Sequence, residues 1–252
     1  MESYATAQQV FAAGLVFARM GAIIMLIPGI GEAFIPPRIR LSFALALSLM
    51  LYPALANSAP ALPADAGGMA GAVLKELFIG LMIGGVLRLF MNSLATAGEI
   101  VSLQTTLSFS QTANPAQAQP TTSLGTFLGL IGLVLIMTTD LHHLIITAVV
   151  RSYSLFPFSR ELLVADAGQL AVRTVGRSFA LGLQLAAPVV VFSLIFNIAT
   201  GLVGRVMPQF QVFFVATPLI VLLGLSVFAL SLGTLGMVWV DRYRELIGTF
   251  IR

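Results

Sequence analysis

Six apolar stretches, approximately Val10–Ile27, Leu41–Leu55, Leu77–Ala97, Leu124–Val150, Phe179–Val203 and Val212–Val240, occupy most of the chain. The connections between them carry too few charges to clothe a soluble surface. Charged residues make up 9% of the sequence and hydrophobic residues 58%, against about 25% and roughly 45–50% in soluble domains. Most of the exterior must therefore face lipid or other apolar protein. In lipid each backbone amide and carbonyl has to be matched within its own segment, so all six stretches are predicted to be helices. The expected fold is an all-α integral membrane protein, a single membrane domain over residues 1–252.

The stretches are uneven. From Leu41 up to Pro53 there are only twelve residues, Leu41–Tyr52, about 18 Å of helix against a hydrocarbon core of roughly 30 Å. The second stretch is thus too short to cross alone unless its helix continues beyond Pro53. The fourth contains Asp140, His142 and His143, the fifth Pro188 and Asn197, and the sixth Pro218. Interrupted helices of this kind suit a multi-helix assembly whose neighbours satisfy the freed backbone groups. With six full crossings, Lys75, Arg151, Arg160, Arg173, Arg177, Arg242, Arg244 and Arg252 fall on one side and Arg38, Arg40 and Arg205 on the other. That asymmetry predicts cytoplasmic termini. Met1-Glu2-Ser3-Tyr4 has no basic n-region, so the first stretch is expected to be retained as mature structure. The Ala-, Pro- and Gly-rich segment from Leu55 to Gly71 is expected to be a flexible connection.

The net charge of +3, with twelve Arg and one Lys scattered along the chain rather than run together, gives no footprint for nucleic acid. Cysteine is absent, which removes disulfides, thiolate metal sites and Cys nucleophiles. HExxH, GxSxG and P-loop signatures are missing too, so the sequence predicts no enzyme, no cofactor and no resident metal. The most informative polar piece is the uncharged run Gln104–Ser123, rich in Ser, Thr, Gln and Asn and broken at Asn114-Pro115 and Gln119-Pro120. Such a neutral hydrogen-bonding loop suits the lining or plug of a polar pore; the alternative is an extramembrane loop with no duty.

Arg19, Arg88, Glu99 and Asp140 lie inside or at the ends of apolar stretches, where a charge costs at least about 2.5–3.5 kcal/mol and faces a partner or a cavity. Arg88 and Glu99 share a helix face but stand about 16 Å apart, so each needs a partner elsewhere. Snorkelling to the interface is the expectation for Arg19. Asp140, His142 and His143 invite a proton-relay or metal reading. Adjacent histidines point to different helix faces, however, and no second cluster completes a site, so a helix-end role is expected. Gly80-x-x-x-Gly84 and Gly125-x-x-x-Gly129 carry the spacing that lets helix backbones approach closely. Gly204-Arg205-Val206-Met207-Pro208-Gln209-Phe210-Gln211-Val212-Phe213-Phe214 reads as a tight helical-hairpin turn.

Three of these segments, in register with the hydropathy pattern, carry a family likeness. Arg205, Pro208 and Gln209 form an Arg-x-x-Pro-Gln turn, followed by a Phe-rich helix with Phe213, Phe214 and Pro218. Pro28-Gly29-Ile30-Gly31 precedes Ile35-Pro36-Pro37-Arg38-Ile39-Arg40-Leu41. Ala97-Gly98-Glu99-Ile100 leads to Leu107-Ser108-Phe109 and Asn114-Pro115. From about Met20 to Leu235 the chain resembles the family of flagellar biosynthetic protein FliR and its type III injectisome counterpart SctT. That family more often has Gly at position 106 and Asp at 114; here they are Thr106 and Asn114.

The resemblance implies kinked helical hairpins packed in a multi-subunit helical export gate, in the bacterial inner membrane at the flagellar basal body. Its implied partners are the P-type and Q-type subunits FliP and FliQ, the B-type switch subunit FlhB, unfolded exported proteins as substrates, and membrane lipid. The implied plug centres on Leu107, Ser108, Phe109, Ser110, Asn114 and Pro115. Arg205, Pro208, Gln209, Phe213, Phe214 and Pro218 would form the hairpin turn and pack against subunits. A different class of function, a small-solute secondary transporter with broken helices, would require repeated halves and a solute site near Asp140 or Arg88. The sequence shows neither halves nor a second acidic site.

Overall fold

The computed structural model describes residues 6–108, 122–159, 164–207, 209 and 211–251, apart from the side chains of Asn57, Val164 and Phe213. Among the described residues there is no strand. The helices are α1 (Ala7–Leu26), α2 (Pro37–Leu55), α3 (Ala66–Gln104), α4 (Ser123–Thr138), α5 (Leu141–Leu155), α6 (Val164–Val206) and α7 (Val212–Gly248), with a 3-10 turn at Ala56–Ser58. Five of them are long and apolar enough to cross a membrane, and the broken pair α4–α5 adds a sixth crossing if it acts as one.

Local chemistry sets the helix ends. Thr6 starts α1 with a capping box: its hydroxyl accepts from the Gln9 amide, and the Gln9 side chain accepts from the Thr6 amide at 2.8 Å. Two orphan donors are satisfied reciprocally. Pro36 and Pro37 open α2, where the missing N–H would have had no helical partner anyway. That early start corrects the length inferred for the second stretch. The helix has 19 residues and passes through Pro53, close to the roughly 30 Å of a hydrocarbon core. Proline removes one hydrogen bond, and two residues from a helix end that loss is small.

The third and fifth stretches grow at both ends, and the sixth at its C-terminal end. They form helices of 39, 43 and 37 residues, about 55–65 Å long, which is well beyond one hydrocarbon thickness. Pro188 and Pro218 lie inside α6 and α7.

The chain forms two compact units, Met1–Phe90 with Asp140–Val175 and Arg244–Arg252, and Met91–Thr139 with Gly176–Tyr243. In the first, α3 lies directly on α1. A Cβ at Gly80 would stand 2.6 Å from the Arg19 carbonyl oxygen, and one at Gly84 would stand 2.9 Å from Leu26 Cβ. Leu15, Met20, Ile23, Ile79, Ile83 and Leu87 fill this core. The connection after α2 is tied down, contrary to the flexibility expected of it. The Gln8 amide donates to the Pro60 carbonyl at 2.7 Å, and Gln8 Oε1 accepts from the Leu62 amide.

In the second unit the closest approach is between Gly98 on α3 and Gly125 on α4, where a Cβ on Gly98 would stand 2.5 Å from the Gly125 nitrogen. The small-residue face of α4 continues at Gly132, which meets Met91 and Leu94. Gly129 looks into open space, so the predicted four-residue spacing is replaced by a seven-residue one. Trp239 is fully buried; its Nε1 donates to Ser93 Oγ at 3.1 Å, and its ring stacks on Tyr243 with centroids 4.9 Å apart.

Gly98→Ala should therefore lower the stability of the purified chain by about 1–3 kcal/mol through overpacking, whereas Gly129→Ala should change it by less than about 0.5 kcal/mol. Thermal unfolding in detergent, followed by Trp239 fluorescence, compares the two.

Candidate functional site

The intramembrane charges resolve into separate clusters. In the first unit Arg19 is completely buried, which overturns the snorkelling expectation. Its Nε donates to Glu76 Oε2 at 2.6 Å, Nη1 to the Ser152 carbonyl at 3.0 Å and Nη2 to the Phe156 carbonyl at 2.8 Å. The guanidinium carbon lies 4.2 Å from the Tyr153 ring centroid and 5.5 Å from that of Phe158. Burial is favoured because the carboxylate cancels the charge, the fork of donors is shared out, and two ring faces add cation–π attraction. Ser152 and Phe156 belong to the end of α5. The Ser152 carbonyl already accepts from the Phe156 amide at 2.9 Å and takes Arg19 as a second donor, while the Phe156 carbonyl lies past the last helical bond and takes Nη2. Lys75 Nζ, beside Glu76, donates to the Phe158 carbonyl at 2.6 Å.

Sequence reading missed Glu76, because only the folded contact between α1 and α3 points to it. Gly80 packs on the Arg19 carbonyl, and one helical turn back along α3 from Gly80 is Glu76.

Arg88 pairs with Glu32 through its two terminal nitrogens, Nη1 donating to Oε1 at 2.5 Å and Nη2 to Oε2 at 3.1 Å. Glu32 lies in the Pro28–Pro36 connection, so this bidentate pair fastens the turn after α1 to α3. The turn itself uses a left-handed residue, Gly29, at φ 96.

In the second unit the two ends of the polar segment meet the same short length of α3. At its start, Gln104 Oε1 accepts from Ser193 Oγ at 2.7 Å, and Thr105 lies against Gly224. The helix closes with Thr106 in the left-handed conformation, φ 62; its amide donates to Leu103, and the Ser108 amide donates to Ser102, both at 3.3 Å. This is a Schellman-like ending, in which the left-handed position usually belongs to glycine. At the segment's far end the Thr122 amide donates to Glu99 Oε1 at 3.0 Å, and the Thr122 hydroxyl caps α4 by accepting from Gly125 at 3.0 Å. Glu99 thus holds the returning chain one to two turns from where it left α3. Of the plug residues, Leu107 and Ser108 sit in this neck; Phe109, Ser110, Asn114 and Pro115 lie outside the described residues.

Asp140 breaks the fourth stretch. It is left-handed, φ 57, and precedes α5 without a side-chain cap bond. The histidines do not diverge as expected. Their ring centroids lie 4.1 Å apart, because imidazoles in an uncrowded first helical turn can lean across the angle between neighbouring positions. Arg205 ends α6, and the connection to α7 runs over residues 207–211. Arg205, Gln209 and Pro218 are exposed on the chain, and Phe214 is 71% exposed. Pro208 and the Phe213 side chain lie outside the description.

These features define an all-helical integral membrane protein in which Arg19 and Arg88 are matched inside the chain while long apolar helix faces stay open. The profile of the bacterial export proteins, family 1, matches residues 10–246. The chain belongs to that family. It is 61% identical to the flagellar biosynthetic protein FliR of Caulobacter vibrioides over 99% of this chain and 100% of that protein. Identity is 29% to the FliR of Escherichia coli over 84% and 80% of the two chains, and 28% to that of Aquifex aeolicus over 94% and 91%.

Removing either partner of the Arg19–Glu76 pair should destabilise the chain by about 3–5 kcal/mol, because the other charge is left buried and unmatched. Arg19→Met with Glu76→Leu should recover much of that loss, as measured by thermal unfolding. Thr106→Gly should stabilise by about 1 kcal/mol, since a β-branched residue is strained at this φ; Thr106→Val should not.

Proposed function

We propose that this chain is a non-enzymatic subunit of the flagellar type III protein export gate, forming part of the protein-conducting pore and contributing its plug through residues 104–123. The carrying observation is the end-to-end match to FliR at 61% identity. FliP, FliQ and FlhB are its neighbours in this reading, unfolded exported proteins are its cargo, and it resides in the inner membrane at the basal body as a single membrane domain.

Two structural features support the reading. In the first unit α2 buries only Ala44 and Ser48, leaving Ile39, Leu45, Leu49 and Met50 outward, the last 78% exposed. In the second unit Leu194, Ile195, Ile198 and Leu202 of α6 and Leu222 and Leu230 of α7 face outward, Leu230 at 87% exposure. Faces this apolar need lipid or sister subunits against them, and Arg205, Gln209, Phe214 and Pro218 sit where the second unit would meet such neighbours.

The second feature is the neck. A segment with no charged side chain leaves and rejoins α3 beside Glu99. A carboxylate accepting a backbone N–H makes a charge-assisted bond, stronger than a neutral one, which would hold the ends of a plug fixed. Gating then consists of displacing the segment when an unfolded chain arrives, with energy supplied by other components. The transporter reading loses one of its two candidate places, because Arg88 is engaged by Glu32.

Shortening residues 104–123 in the assembled complex should raise ion leak while leaving assembly intact. Glu99→Ala should also raise leak, with Glu99→Gln, which keeps a carbonyl acceptor, staying closer to wild type. Conductance measured in membranes carrying the co-expressed subunits tests both; unchanged leak with normal assembly counts against the plug. Native mass analysis of the same complexes tests the partners.

A further inference from the structure

We infer that Asp140, His142 and His143 form a binding site for one divalent transition-metal ion of the Zn2+, Co2+ or Ni2+ class. Three observations converge. First, Asp140 occupies the N-cap of α5 but does not use its carboxylate as a cap. An Asp at this position ordinarily accepts from the second or third helical amide. Here the backbone is left-handed at φ 57, the His143 amide is satisfied by the Asp140 backbone carbonyl at 3.1 Å, and Oδ1 stands 3.5 Å from His143 Nδ1. The carboxylate is turned toward the imidazoles rather than toward the helix end.

Second, the rings of His142 and His143 lie side by side, centroids 4.1 Å apart and planes 38° from parallel. One donor atom from each of the three residues falls within 4.8 Å of the others. Bonds of about 2.0–2.2 Å at a tetrahedral ion set two donors roughly 3.4 Å apart, so side-chain rotations that draw the donors together by about 1.5 Å complete the geometry. The Asp140 and His143 side chains are 77% and 69% exposed, which leaves these two room to rotate.

Third, the trio lies in the middle of an apolar stretch, on the outside of the chain, where a carboxylate calls for neutralisation. A dication supplies it.

The donor set selects the ion. Two imidazole nitrogens and one carboxylate oxygen suit borderline ions; Ca2+ and Mg2+ take all-oxygen shells, and the thiolates favoured by Cu(I) are absent from the chain. Three protein ligands leave a position for water or for a donor from a neighbouring chain. A bound ion links the break residue to the first turn of α5 and so serves as the cap that the Asp140 carboxylate does not provide.

The test is a titration of the full-length chain in detergent with Zn2+ followed by native mass spectrometry, and with Co2+ followed by its visible absorption. One ion per chain is expected, together with a rise in melting temperature on adding Zn2+. Binding should be lost in His142→Ala/His143→Ala and weakened at least about tenfold in Asp140→Asn. Asn tolerates the left-handed conformation, so the melting temperature of Asp140→Asn without metal should match wild type. Absence of a bound ion in the wild-type chain, or equal binding by the double histidine variant, overturns the site.

Discussion

The buried pair of Arg19 and Glu76 is the constraint on which the first unit depends. An unpaired guanidinium in an apolar interior carries a desolvation penalty of several kcal/mol, so α1 and α3 are committed to the one register that brings these side chains together. The same register sets Gly80 on the Arg19 carbonyl and Gly84 on Leu26, where only a hydrogen in place of a side chain fits. The remaining guanidinium donors go to the end of α5, so one side chain fixes three helices. Electrostatics specify the arrangement, and close packing of small residues permits it.

The second unit is organised differently. Backbone contact at Gly98 and Gly125 sets α4 on α3; Glu99, the next residue along, accepts the amide of Thr122. The polar segment therefore begins and ends on a rigid surface. Trp239 and Ser93 provide one matched polar contact within its core, and Gln104 and Ser193 another. Sites built on such supported elements hold their geometry better than sites carried on loops alone.

The class of fold was legible because it rests on quantities summed over many residues: too few charges, six apolar runs, and a solvent that forbids open strands. Helix lengths were less legible. Hydropathy marks where a helix is greasy, whereas α3 continues through Lys75 and Glu76 because those charges find partners only after folding. Arg88 and Glu99 were readable as residues needing partners, yet Glu32 and the Thr122 amide are remote in sequence and no local pattern points to them. Arg19 was misread because snorkelling depends on where a helix sits, and position follows from tertiary contacts. The requirement at position 106 was not visible in the residues themselves, because a threonine gives no local sign of a left-handed turn. Only the folded backbone, left-handed at Thr106, shows it.

The capping of α5 by Arg19 also orders events in time. The guanidinium leaves the ribosome with α1, Glu76 follows 57 residues later, and the Ser152 and Phe156 carbonyls follow 133 and 137 residues later. Until α3 has been made, α1 carries an unanswered cation into the bilayer; until α5 has been made, the guanidinium fork is only partly occupied. The newborn chain thus passes through stages in which its first helix is poorly suited to lipid, and chaperoning by the insertion machinery must outlast the synthesis of more than half of the polypeptide.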